Sequence, residues 1–226
     1  MKRILPFILT AIFVFMLFSC NQNTVVNITE EYTLTKDNAS EMYTNAVENL
    51  TSGEIGLKYS SSNGVKSTTV KFAPTQNGEK KVLAEIKYTD GGYVTNYFDG
   101  ENFYVIVDGQ GKQIESEYVN ADSIYKNLVG LPEEYTVDES FKVYKSNDNT
   151  GYLITGEVEY ETEEPVVEKV TVYYYLNNDK IPQKYRIEFY ILDVENEETK
   201  EYIDGVYKNL GTKITINAPE FEQIQE

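Results

Sequence analysis

Residues Val170–Leu192 read VTVYYYLNNDKIPQKYRIEFYIL, and this stretch decides the fold. Val170, Val172, Tyr174 and Leu176 alternate with Thr171, Tyr173 and Tyr175. After Asn177-Asn178-Asp179-Lys180, Tyr185, Ile187, Phe189 and Ile191 alternate with Arg186, Glu188, Tyr190 and Leu192. A period of two sends successive side chains to opposite faces of a strand, and Asn and Asp favour the turn between. The stretch is therefore a long hairpin with one more apolar face. The same alternation runs through Tyr152, Ile154, Gly156, Val158 and Tyr160, through Ile55, Leu57 and Tyr59, and through Val82, Ala84, Ile86 and Tyr88. Asn63-Gly64, Asn77-Gly78, Asp90-Gly91, Asp99-Gly100 and Asp108-Gly109 punctuate the first half in steps of 14, 13, 9 and 9 residues. Asn-Gly and Asp-Gly supply the positive φ angles of tight hairpins, so this is the rhythm of an antiparallel meander. A last pair of strands is predicted at about 200–209 and 212–216, for about eleven in all.

Two segments break the period. Asn38 followed by Glu41 fits a helix start, and Ala39, Met42, Ala46, Val47 and Leu50 form one stripe at helical spacing, with Gly53 as its stop. Asn120, Ile124, Leu128 and Gly130 outline a second helix. Strands with one apolar face need cover, and two helices cannot cover eleven strands laid flat. The expected fold is α+β and mostly β: a strongly curved antiparallel sheet, a half-barrel, wrapped around two helices. It forms a single domain over residues 38–220, with 221–226 as a tail.

The chain opens Met1-Lys2-Arg3, runs apolar from Ile4 to Phe18, and reaches Ser19-Cys20. A basic start, a short apolar run and a small residue describe a secretory signal peptide over residues 1–19; the run is short for a permanent membrane span. Residues 20–37, rich in Asn, Thr and Glu, read as a tether, in which Val25, Val26 and Ile28 are expected to add a short edge strand. Cys20 is the single cysteine of the chain. Leu17-Phe18-Ser19-Cys20 resembles the bacterial lipobox, apart from Phe18 where a smaller or branched residue is usual. The resemblance implies diacylglycerol transfer to the Cys20 thiol and cleavage before it, leaving the protein lipid-anchored on the outer face of the cell membrane. Without Lys2 and Arg3 the mature chain has 18 basic residues against 37 acidic ones, a net charge of −19. An anionic bilayer is expected to repel such a domain, so that acyl chains alone hold it.

Tyr173-Tyr174-Tyr175-Leu176-Asn177-Asn178-Asp179-Lys180-Ile181-Pro182 and the run from Tyr207 through Asn209-Leu210-Gly211-Thr212 to Ala218-Pro219-Glu220 carry a second resemblance. With the order of elements, they make the chain similar to the LolA-like superfamily of lipoprotein carriers and lipid-transporting lipoproteins. That resemblance implies an apolar cleft able to hold acyl chains. In such a cleft the inward register of the long strands makes contact: Tyr160, Val172, Tyr174, Ile187, Phe189 and Ile191, with Phe103 and Val105 from the first half. The same residues would equally serve as plain core. The other use of such a fold is rigid display of an interaction surface.

Composition narrows the chemistry. The chain has no His, so His-based triads and His-ligated metals are excluded, and one Cys excludes an internal disulfide and a cysteine zinc cluster. A net charge of −17 disfavours nucleic acid as a partner. Glu157, Glu159, Glu161, Glu163 and Glu164 could gather around a hard cation, but solvated strand charges explain them first. No pair of carboxylates has a spacing that marks a catalytic couple, so neither enzyme activity, a metal nor a cofactor is expected. Tyr173, Tyr175 and Tyr190 are predicted on the outer face, either as a binding surface or as cross-strand packing. Replacing Cys20 by Ser is expected to leave an uncleaved or released protein without acyl mass. Mass spectrometry of the membrane fraction checks this; a Ser variant at the mature mass in membranes would contradict it.

Overall fold

The computed structural model describes residues 32–60, 64–74, 78–114, 121–131, 140–159, 167–192 and 198–223. In chain order these form β1 (Tyr32–Leu34), α1 (Ala39–Glu48), β2 (Gly53–Tyr59), β3 (Val65–Pro74), β4 (Lys80–Tyr88), β5 (Tyr93–Phe98), β6 (Phe103–Val107), β7 (Gln110–Gln113), α2 (Ala121–Val129), β8 (Lys142–Ser146), β9 (Gly151–Glu159), β10 (Val167–Asn177), β11 (Pro182–Leu192), β12 (Glu198–Lys208) and β13 (Glu222–Gln223). The described strands make one sheet in the order β1-β8-β9-β10-β11-β12-β2-β3-β4-β5-β6-β7-β13. Every pairing is antiparallel except β13 on β7. The sheet is two meanders joined where β12 returns beside β2, with Ile203 opposite Tyr59 and Tyr207 opposite Ile55. β1 and β13 form its edges, so it does not close.

The turns behave as their chemistry requires. Gly64, Gly78, Gly91, Gly100 and Gly109 all have positive φ. In the β10–β11 turn the Asn177 side chain accepts from the N–H groups of Asp179 and Ile181, and Lys180 takes the left-handed conformation, with φ 62°. Asn38 caps α1 by accepting from the Glu41 N–H at 3.0 Å. The predicted stripe is buried throughout: Ala39, Met42, Ala46, Val47 and Leu50, joined by Tyr43. Gly53 is not the helix stop. The helix ends at Glu48, and Gly53 already lies in β2, where a Cβ would sit 2.5 Å from the Leu210 side chain and 2.7 Å from Phe72.

Both helices lie in the concavity. Tyr43 of α1 meets Tyr174 of β10 edge-on at 4.9 Å between ring centroids, while Tyr125 of α2 meets Phe72 of β3 at 6.1 Å. The helices touch one another through Gly130, where a Cβ would lie 2.3 Å from the Tyr43 hydroxyl and 3.3 Å from Val47. Strands β10 and β3, four places apart in the sheet, thus pack on one pair of helices, and only a curved sheet allows this. This is the expected half-barrel.

Three features differ from expectation. The described strands number thirteen rather than eleven. The extra ones include β1 and β13, of three and two residues, too short for alternation to register. The edge strand expected at Val25–Ile28 lies outside the described residues; the described edge strand is β1. Residues 212–216 are not a strand. β12 already has β11 on one side and β2 on the other, so no free edge remains for a hairpin partner. Instead the chain turns at Asn209 and Gly211, both with positive φ, and crosses the convex face. There Ile214, Ile216 and Phe221 cover Ala73, Leu83, Tyr97, Tyr104 and Ile106 in a second, smaller core. The end of this strap, expected to be a free tail, adds β13 to the sheet; the Phe221 ring fills the space a Cβ on Gly111 would need.

Val47 is 1% exposed and touches both the sheet's core and the second helix. Val47→Asp is expected to cost several kcal/mol, because the carboxylate finds no water there. Chemical denaturation measures it, and an unchanged midpoint would remove α1 from the concavity.

Candidate functional site

The inward register of the C-terminal strands comes together as expected. Val172 lies between Ile187 and Gly156 on its neighbouring strands, Tyr174 between Tyr185 and Ile154, and Phe189 opposite Val170. Val172 and Tyr174 are inaccessible, and Ile187, Phe189 and Ile191 are buried beside them. Phe103, buried, and Val105, half-buried, belong to the same core but stand on the opposite wall of the half-barrel. Tyr160 lies outside the described residues. One inward residue escaped the sequence analysis: Glu201, opposite Phe189 and 4% exposed. The alternation Glu201, Ile203, Gly205, Tyr207 was the available signal, since Ile203 and Tyr207 are core residues.

Tyrosine hydroxyls pin the helices to this face. Tyr207 donates to the Val129 carbonyl at 2.8 Å, and Tyr174 donates to the Tyr207 hydroxyl at 2.9 Å. Tyr125 donates to the Leu50 carbonyl at 3.0 Å. Tyr43 donates to the Leu131 carbonyl at 3.3 Å and accepts from the Leu131 N–H. The acceptors Leu50, Val129 and Leu131 stand at or just beyond helix ends, where backbone groups lack helical partners. Burial raises all of these hydroxyls, and that of Tyr185, above their ordinary value of 10.0. Apart from Glu201, the face is therefore apolar in its walls and polar where a hydroxyl meets its partner.

A groove of about 350 Å³ opens at the rim of the concavity, between α1 and the β10–β11 turn. Met42, Ala46, Ile181 and Leu210 give it an apolar side, and Asn45 and Asn49 a polar one. Ile181 is 41% exposed, unusual for an isoleucine, and stands at the mouth.

The convex face explains the outer tyrosines. Lys184 lies over Tyr175 at 4.6 Å, and Lys169 and Lys200 each lie 5.0 Å from the centre of the Tyr190 ring. Arg186 stacks on Tyr202 at 4.2 Å and forks onto Asp204 at 2.6 and 2.7 Å, which raises its pKa further. Glu188 is 1% exposed and is held by Lys200 at 2.6 Å, with Arg186 at 3.8 Å. Tyr173, buried beside this lattice, has its hydroxyl pushed up to about 12, first by burial and then by Glu188. The row is cross-strand packing roofed by cations. Of the acidic run, Glu157 pairs with Lys169 at 2.8 Å, Glu159 is exposed, and Glu161, Glu163 and Glu164 lie outside the described residues. No group of three acids suited to a metal occurs among the described residues.

No family model matches the chain, and no curated protein does. Among solved structures, LprF from Mycobacterium bovis aligns with a TM-score of 0.45 and 10% identity, over 80% of this chain and 97% of that one.

The raised tyrosines make the fold sensitive to alkali in a defined direction. A tyrosine whose folded pKa exceeds its unfolded value contributes fully below pH 10, and that contribution is lost as pH rises towards the folded value. Each such group removes about 1.4 kcal/mol per pH unit in that window. Tyr43, Tyr125, Tyr174, Tyr185 and Tyr207 act together, so unfolding should set in steeply above pH 10, with their tyrosinate absorbance appearing in the same step. Ionisation of all tyrosines near pH 10 with the far-ultraviolet spectrum unchanged would contradict it.

Proposed function

We propose that this chain is an extracytoplasmic lipoprotein of the LolA-like kind, held at the outer face of the cell membrane by acyl chains on Cys20. Its half-barrel takes up an acyl chain or another hydrophobic ligand. The rim groove carries this reading. It opens between α1 and the β10–β11 turn and is lined by Met42 and Ala46, which also belong to the core that holds the inward register of β10 and β11. Helix α1 is ten residues long and rests on the sheet through apolar side chains, and its tyrosine pins run to the α2 segment rather than to the strands, so a small outward shift would extend the groove over Val172, Tyr174 and Ile187. Pockets of roughly 300–1,000 Å³ with apolar walls and a few polar groups suit small apolar ligands.

The tyrosine-filled concavity favours a second reading, in which the half-barrel is a rigid display domain for a protein partner and holds no ligand. Ile181→Trp separates the two, because the chain contains no other tryptophan. Ligand uptake predicts a blue shift of the indole emission on adding fatty acid, and lipid released on extracting the purified protein. An indole blind to every lipid, with none extracted, would leave the display reading.

A further inference from the structure

The convex face carries a second concavity, where β12 meets β2. A groove of about 520 Å³ runs there across β11, β12, β2 and β3, reaching Tyr175 on β10. Its floor is open because Gly56 has no side chain and a Cβ there would meet nothing within 4 Å. Val206 beside it is 43% exposed. Around this floor stand Lys58, Lys66, Lys184 and Lys208, all exposed. None of the four has a carboxylate within salt-bridge distance among the described residues; the described pairs take up Lys71, Lys126, Lys169, Arg186 and Lys200 instead. The one acid lining the groove, Asp204, is already clamped by Arg186. Glu54 faces Lys208 across the β2–β12 pairing, and Glu85, paired with Lys71, stands opposite Thr69 across the β3–β4 pairing. In a chain with net charge −17, a groove with four lysines and one neutralised ion pair is a concentrated positive site.

We propose that this groove docks the phosphate headgroups of anionic phospholipids, and so turns the convex face of the domain towards the membrane. The inference rests on the lipoprotein reading only in that the surface approached is the one the anchor would hold. Lysines attract phosphate, while exposed Val206 and the edge of Tyr175 suit the less polar layer just beneath it. The rest of the acidic surface is repelled by the same membrane, so charge selects this face over the others. Twelve residue steps from Cys20 to Tyr32 span at most about 40 Å, a reach that lets the groove meet the headgroups. The acidic mature chain is thus not simply repelled by an anionic bilayer, as its net charge alone suggests, but oriented by it.

The test uses the full chain and lysine acetylation read by mass spectrometry, in phosphatidylcholine discs and in discs containing phosphatidylglycerol. Lys58, Lys66, Lys184 and Lys208 should react about threefold or more slowly with phosphatidylglycerol present, Lys126 should not change, and added salt should erase the difference. Gly56→Glu places a carboxylate on the groove floor without touching a lysine or the core, and should abolish the protection. Equal labelling in both discs, or protection that survives Gly56→Glu, would overturn the proposal. So would equal protection by glycerol phosphate in phosphatidylcholine discs, which would make the groove a site for small phosphates. Co-elution of the wild-type chain with phosphatidylcholine discs reports the anchor separately. A chain that stays off those discs still reports on the groove when phosphatidylglycerol is present.

Discussion

The structure depends on hiding the apolar face of a sheet whose thirteen described strands do not close into a barrel. A closed barrel would hide that face by itself; an open one needs a plug. Here the plug is two helices of ten and nine residues, too short to be stable by propensity alone. They are held because the sheet curves around them and because tyrosine hydroxyls meet the backbone groups at their ends. Tyr207 and Tyr174 tie α2 to the C-terminal strands, and Tyr125 ties α2 to the end of α1. A tyrosine suits this task because its ring fills core volume while its hydroxyl satisfies a carbonyl that burial would otherwise strand. The chain's 20 tyrosines and absent tryptophan fit a core built on that device.

The same constraint shapes the outside. A sheet curved around helices presents a broad convex face to water, and β-strands of this length need more than solvation to keep that face orderly. Over β3–β7 the C-terminal strap covers it with Ile214, Ile216 and Phe221. Over β9–β12 a lattice of cations laid on tyrosines does so, with Glu188 buried between Lys200 and Arg186. Between these two coverings the convex face is bare over Gly56 and Val206, and there the lysine-rimmed groove lies. Its position follows from the topology: it lies at the seam between the two meanders, bordered on one side by Lys184 and Arg186 of the cation lattice.

Two openings thus offer two different chemistries. The rim groove beside α1 leads to apolar walls and suits a chain of CH₂ groups. The seam groove offers fixed positive charge and suits phosphate. A lipoprotein that takes up an acyl chain at one and rests on headgroups at the other would keep its apolar entrance at a set height and angle above the membrane.

Alternation and turn chemistry in the sequence determined the long hairpins, the meander, the Asn38 cap and the stripe of α1, because each depends on residues within a few positions of one another. The inward register of Val172, Tyr174, Ile187 and Phe189 was legible for the same reason. Tertiary structure alone decided the rest. That residues 212–216 leave the sheet depends on β2, far upstream in the chain, having taken the free edge of β12. That Gly53 and Gly130 serve close packing depends on Phe72 and Tyr43 arriving from other elements. The lysines of the seam groove are scattered from Lys58 to Lys208, and nothing local marks them as a group. They become one site because hydrogen bonding between β12 and β2 brings the two halves of the chain edge to edge, and an acidic average conceals a local excess of positive charge until the strands are paired.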